Sequence, residues 1–409
     1  MYETIIGKLP SMLAGEKMTD ALRVLPDYDV GITGAPVPER LMAMSDLYKI
    51  YEPSRMSIEI YTKLYLGLFH SISKKGTKTA IKQQQENRKA VLGAEYNGIM
   101  GGADSFTLIG ESGIGKSAGI NRAISLMKGE QVIVTDKPYL KFIPVICVQC
   151  PFDSSVKGLL LEILRKVDEA LGSKYHEGAI RARMTVDMLI GSVSQVALNH
   201  IGLIVVDEIQ NVVSNKNGRN LVGVLTQLIN NSGISICMVG TPESAVFFES
   251  TMFLARRSLG LQFGAMKYDD GFQNLCRLLL SYRYVAEPFD ITEGLLLWLY
   301  EHSRGNVSAL VSLVHDAQEY AIINGTERLD KAALNSAYDN NLAFMHDHLN
   351  AVELINHPKP RKAMIDVPVK TVSIPELISI EAVIEEAKSD GTDAMKRISD
   401  VFDVEEISV

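Results

Sequence analysis

Between residues 106 and 266 the chain alternates short, nearly unbroken apolar runs with longer stretches whose apolar residues recur at helical spacing. The runs Phe106–Ile109, Ile143–Val148, Leu203–Val206, Ile234–Val239 and Leu261–Met266 predict strands buried on both faces. The stretches Gly115–Met127, Ser155–Leu171, Ala179–Asn199 and Asn220–Asn230 predict the helices between them. Together they predict an α/β domain, a parallel five-stranded sheet flanked by helices, with right-handed crossovers. After Met266 the strand pattern stops. Asp269–Val285, Thr292–His302, Asn306–Ile323 and Lys331–Asn340 predict four helices, punctuated by Gly305, Gly325 and the turn Pro288-Phe289-Asp290. This is a small helical domain set behind the α/β one.

The flanks behave differently. Residues 1 to about 55 carry five prolines and no sustained periodicity, which predicts an extended arm with short helices that serves in docking. Ser57–Ser73 places Ile58, Tyr61, Leu64, Tyr65, Leu68 and Phe69 on one helical face. Lys74-Lys75-Gly76-Thr77-Lys78 and the stretch Lys82–Lys89 follow, with Glu86 the one acid of that region. Such a run is either a solvated helix face and turn or a nucleic-acid contact. From about Asn350 four prolines interrupt any helix, and the last 34 residues carry ten acids against three bases. That composition predicts a flexible acidic tail able to hold a docking peptide. The expected divisions are an arm at 1–56, the α/β domain at 57–266, the helical lid at 267–345 and the tail at 346–409.

Composition narrows the classes. An apolar fraction of 46% and a charged fraction of 22% are those of a globular chain with a real core. No run of eighteen apolar residues and no basic-then-apolar leader is found, so a cytoplasmic protein without a membrane partner is expected. A net charge of −8 is not the footprint of a protein that binds nucleic acid over its whole surface, although a few positioned lysines suffice for a local contact. Cys147 and Cys150 form a C-x-x-C inside an apolar strand-like run with no second pair at zinc-ligand spacing. They read as ordinary buried cysteines in preference to a metal or redox site.

Three stretches carry chemistry. Gly110-Glu111-Ser112-Gly113-Ile114-Gly115-Lys116-Ser117 fits G-x-x-x-x-G-K-[ST], with a strand before it and a helix, opening at Ala118, after it. Glycines let backbone N–H groups approach phosphates, and the helix N-terminus adds partial positive charge. Lys116 is then expected on the β- and γ-phosphates and the Ser117 hydroxyl on Mg²⁺. Leu203-Ile204-Val205-Val206-Asp207-Glu208 is a buried strand ending in two carboxylates, the arrangement for holding Mg²⁺ (Asp207) and polarising an attacking water (Glu208). The next strand delivers the Thr241 hydroxyl towards the γ-phosphate. Arg256-Arg257 follows, read either as a surface pair held by local acids or, in preference, as supplying from one of the two an arginine finger for a neighbouring subunit's nucleotide.

This order of phosphate loop, Asp-Glu strand, polar sensor, arginine finger and helical lid resembles the AAA+ ATPases. More narrowly it is similar to the TnsC/TniB transposition regulators. The stretches that carry the likeness are Ile109–Ser117, Ile143-Pro144-Val145, Val205–Asn211, Val239-Gly240-Thr241-Pro242-Glu243, Ser303-Arg304-Gly305-Asn306 and Asp330-Lys331. The resemblance covers about residues 57 to 342 and implies ATP and Mg²⁺ as cofactors. It also implies homo-oligomers, rings or helical filaments on duplex DNA in a bacterial cytoplasm, that link a target-selection protein to a transposase.

The chain departs from the AAA+ pattern where a lid arginine often follows the Gly-Asn: Ser308 stands there, and Arg304 precedes the helix. Motifs do not transfer DNA contacts; Lys128, Lys137 and Lys141 are the candidates, each taken singly reading first as a solvated surface lysine. Two other classes fit the same motifs: a helicase loader or initiator, and a signalling NTPase switch with a protein partner.

Overall fold

The strands form where short, largely β-branched apolar runs are buried on both faces of a sheet. The computed structural model describes residues 2–98, 100, 105–136, 139–212, 218–245, 260–341 and 343. These belong to one unit, Met1–Ala351, and the second unit, Val352–Val409, lies outside the described residues, as does the segment read as a tail from 346. The sheet has six strands, not five: β1 (Phe106–Gly110), β2 (Ile133–Asp136), β3 (Tyr139–Gln149), β4 (Ile201–Asp207), β5 (Ser235–Gly240) and β6 (Leu261–Phe263), in the order β2-β3-β4-β5-β1-β6. All neighbours are parallel except β2, an antiparallel edge strand on β3. Ile133-Val134-Thr135-Asp136 is too short and too mixed for periodicity to reveal it, and its pairing with β3 decides its form.

Period-two alternation divides the sheet's side chains between two cores. Ile204 and Val206 face the layer of α7 (Val156–Leu171), α9 (Val186–His200) and α10 (Gly218–Ser232). Leu203 and Val205 face α4 (Arg55–Lys75) and α6 (Lys116–Lys128). The helix read over Ala179–Asn199 is two helices. A short α8 (Tyr175–Arg181) ends before Arg183, which takes the left-handed φ of 49°, and Thr185 restarts the chain by capping Met188 N. The basic stretch after α4 is itself a helix, α5 (Lys78–Val91), packed on α9.

The first 56 residues form short helices, as expected, but these pack on the body in place of extending from it as an arm. Helices α1 (Tyr2–Lys8) and α2 (Gly15–Leu22) bury Ile5, Met18 and Leu22 in the core beneath α4 and α6. The following stretch, with α3 (Val37–Ala43), buries Met44 and Leu47 in a third core with the lid helices α11 (Asp270–Ser281), α12 (Glu293–Ser303), α13 (Val307–Ile323) and α14 (Lys331–Asn341). Prolines keep the pieces short, and their apolar residues serve two different surfaces, so no single period runs through them.

Arg40 pins this segment to the lid. Its side chain is 6% exposed, donates to both Glu327 oxygens at 2.6 Å and reaches the Tyr284 carbonyl at 3.1 Å. The hydrogen bond from Arg40 holds the Glu327 carboxyl below its ordinary value. Arg40→Ala is expected to cost about 2 kcal/mol, less than a fully buried pair because Glu327 is partly solvated. A depressed carboxylate contributes stability above its unfolded pKa, about 4.3, and loses it as pH falls through the folded value. The stability gap between wild type and Arg40→Ala should therefore be present at pH 7 and close under acid. Urea melts followed at Trp298, the sole tryptophan, stacked on His302 in the lid, read this directly. A gap that is constant with pH would remove Glu327 from the account.

Candidate functional site

β1 ends at the carboxyl edge of the sheet, between β5 and β6, where an α/β fold leaves a crevice. The turn leaving it needs glycine. Gly113 and Gly115 take left-handed φ of 81° and 96°, and a Cβ on Gly110 would lie 2.7 Å from the Phe263 carbonyl oxygen. Gly115 is the N-cap of α6 and offers no side chain to its first N–H groups, which leaves that helix end suited to an anion.

The chemistry-bearing side chains converge here. Lys116 Nζ donates to the carbonyls of Gly110 and Glu111, each at 2.7 Å. Burial lowers the Lys116 pKa, opposed by Asp207, Glu208, Glu111 and Glu243. The Ser117 hydroxyl donates to Asp207 Oδ2 at 3.2 Å across 90 residues of sequence. The other Asp207 oxygen accepts from Glu208 N at 2.8 Å, and Glu208 itself takes a left-handed φ of 57°. The Glu208 carboxylate accepts from Gln210 Nε2. Thr241 follows β5, and its carbonyl accepts from Ser244 N at 3.0 Å.

Ser112 to Ala118, Asp207, Glu208 and Thr241 line one cavity of about 810 Å³, within the range of small-molecule sites. Apolar side chains from two further sources, which motif reading missed, line it as well. Ile50, Tyr51, Pro53 and Met56 come from the N-terminal segment, and Leu275, Leu279 and Val311 from the lid. The one local signal was the Ser54 cap, 3.4 Å from Ser57 N, which opens α4 beside the cavity. The lid also touches the loop itself: Asn306 Nδ2 donates to the Ser112 carbonyl at 2.7 Å and Ser308 N to the Gly113 carbonyl at 2.9 Å. Arg304 is the left-handed C-cap of α12 and does not line the cavity. Arg256 and Arg257 lie outside the described residues.

Hard oxygen donors suit a hard cation. A hydroxyl and a carboxylate 3.2 Å apart beside a glycine turn fit Mg²⁺ held by Ser117 and Asp207 together with phosphate oxygens.

Residues 99–246 match the family model described as an AAA domain. The fold is that of a P-loop AAA+ domain. No curated protein matches the chain. Among solved structures, the ORC1 protein of Aeropyrum pernix in complex with DNA is similar at 15% identity and a TM-score of 0.43, over 81% of this chain and 80% of that one. The ORC2 protein of the same organism, in ADPNP-ADP complexes, gives 16% identity and a TM-score of 0.39 over 81% of each chain.

The remaining candidates are placed as follows. Lys75, part of the basic run after α4, is buried. It donates to the Ala197 carbonyl at 2.5 Å and to that of Ile201, and burial pushes its pKa well down. It closes the C-terminal end of α9 and, being buried, presents no surface cation. Lys141 Nζ donates to the Leu171 carbonyl at the end of α7, Lys128 is half-buried, and Lys137 lies outside the described residues. Cys150 is buried, but Cys147 opens into a second cleft beside Asp207, and desolvation raises both thiols, Cys150 to about 11. Neither belongs to a metal-holding group among the described residues. No helix there is long and apolar enough to cross a membrane.

Proposed function

We propose that this AAA+ domain binds ATP with Mg²⁺ and hydrolyses it. The convergence of Lys116, Ser117, Asp207 and Glu208 on one cavity carries the reading. The apolar lining takes the base. The glycine turn and α6 N-terminus take the phosphates, with Lys116 leaving its two carbonyls for them. Ser117 and Asp207 hold the metal, which when bound neutralises charge on the phosphates. Glu208 accepts the proton of the attacking water, and Thr241 orients it at the γ-phosphate. Arg256 or Arg257 completes the site of a neighbouring subunit, so that ATP governs assembly. A head-to-tail interface of that kind closes as a ring or continues as a filament.

By its motif resemblance the assembly forms on duplex DNA and links a target-selection protein to a transposase. The exposed face of α5 supports a DNA contact. Lys78, Lys82 and Lys89 are exposed and, four and seven residues apart, share one helical stripe. Changing all three to alanine is expected to weaken DNA binding and to make the slope of log affinity against log salt shallower by about 2–3. An unchanged slope would put the DNA elsewhere on the molecule. Electron micrographs with DNA and a slowly hydrolysed ATP analogue test assembly: monomers alone would end the DNA half of the proposal. Pull-down of a replicative helicase in place of a transposase would turn it into a loader.

A further inference from the structure

Four successive carbonyls of the phosphate loop each accept a hydrogen bond, from one side or the other. Lys116 takes Gly110 and Glu111, while the lid takes the next two, Ser112 through Asn306 and Gly113 through the backbone of Ser308. A trans peptide group is planar, with its C=O and N–H pointing in opposite directions. Holding the Ser112 carbonyl towards the lid therefore turns the Gly113 N–H away from it, and holding the Gly113 carbonyl does the same for the Ile114 N–H. These are N–H groups of the turn that a phosphate would meet.

The orientation of Asn306 is not free. Its Oδ1 caps α13 by accepting from Ala309 N at 3.2 Å, which leaves Nδ2 for Ser112, and a flip would set donor against donor and acceptor against acceptor. The residue is 4% exposed. A Cβ on Gly113 would lie 2.6 Å from Asn306 Oδ1, so the contact exists only because that position is glycine. Behind it, Gly305 takes φ 73° and its carbonyl accepts from Met266 N at 2.9 Å, which fixes the start of α13 to the strand β6 exit.

We infer that Asn306 is a positioning residue for the phosphates. Its carboxamide couples the lid to the phosphate loop and presets the loop's N–H groups, in a chain with Ser308 where a lid arginine would otherwise reach the nucleotide directly. This rests on the ATP-binding reading of the cavity. Cap and coupling are separable, because Asp and Ser cap as well as Asn but neither donates to Ser112 as the carboxamide does.

The test compares wild type, Asn306→Ser and Asn306→Asp for melting temperature and for affinity towards ATP, ADP and adenosine. Asn306→Ser should melt close to wild type and bind ATP and ADP about tenfold more weakly, the effect of leaving a buried acceptor without its donor, while Asn306→Asp keeps the cap but sets a charge against the Ser112 carbonyl and the phosphates, and should melt lower and bind both nucleotides more weakly still. Adenosine affinity should not change, since it meets only the apolar lining. ATP affinity unchanged in both variants overturns the inference, and so does an adenosine loss in step with ATP, which would mean a lid that is merely loosened. Wild-type protein that fails to bind ATP at all would instead overturn the nucleotide reading on which it rests.

Discussion

Glu208→Gln is expected to leave ATP affinity within about twofold and to slow hydrolysis by about 10²–10³-fold, the usual contribution of a general base. The carboxamide keeps the size of the side chain and can still meet Gln210, so the loop and the Ser117–Asp207 pair stay in place. What it loses is the capacity to take a proton from water. In the structure the Glu208 carboxylate rests on Gln210, and its backbone sits at a left-handed φ of 57° while its N–H is tied to Asp207. The main chain is thus fixed by the neighbouring carboxylate, and the side chain alone must turn to reach a water. If assembly follows nucleotide state, oligomers of Glu208→Gln formed with ATP should also outlast those of wild type. Phosphate release measured beside equilibrium binding of a fluorescent ATP analogue decides the matter. Hydrolysis at the wild-type rate would take Glu208 out of its role.

The elements legible in the sequence are those whose signal is contiguous. The apolar runs of β1, β4 and β5 are each almost wholly buried, and the phosphate loop and the Asp207-Glu208 pair are local motifs, so neither requires knowledge of what packs against them. What escaped is set by tertiary partners. The strand β2 exists because β3 runs on far enough to pair with it. The break between α8 and α9 depends on one residue, Arg183, accepting a left-handed backbone. Lys75 reads as a surface cation in a basic run, yet it lies under the end of α9, because two carbonyls there need a donor.

The apolar lining of the cavity escaped for the most physical reason. It is assembled from Tyr51, Met56, Leu275 and Val311, residues more than 200 positions apart in part, brought together by a segment that packs on the sheet domain at one end and on the lid at the other. Each half of that segment is too short to show a period, and each buries its apolar side chains against a different partner. A segment that spans both lobes and lines the cavity between them also makes cavity shape depend on the Arg40–Glu327 anchor. Loss of that ion pair should therefore be felt at the base end before the phosphate end.

Lys116→Ala is expected to weaken ATP and ADP binding by about 10²-fold or more while leaving adenosine affinity near that of wild type. A charged donor on phosphate is among the stronger single contacts available, because its hydrogen bonds are charge-assisted and the site is partly shielded from water. Lys116 is partly buried already, which lowers its pKa, yet four acidic groups nearby act to keep it charged. The substitution has a second effect specific to this loop. Without the ammonium the Gly110 and Glu111 carbonyls lose their donors in the nucleotide-free protein, so the empty turn is less firmly closed; Lys116 leaves those carbonyls on binding, and the binding loss itself comes from its missing contacts with phosphate. Lys116→Arg separates charge from geometry: it restores charge, but a planar fork does not replace a compact ammonium. Recovery of less than half of the lost binding free energy would assign the larger share to the geometry of the compact ammonium on the phosphates, and full recovery would assign all of it to charge. Unchanged ATP affinity in Lys116→Ala would refute the phosphate-loop assignment outright, and with it the placement of Ser117 and Asp207 on the metal.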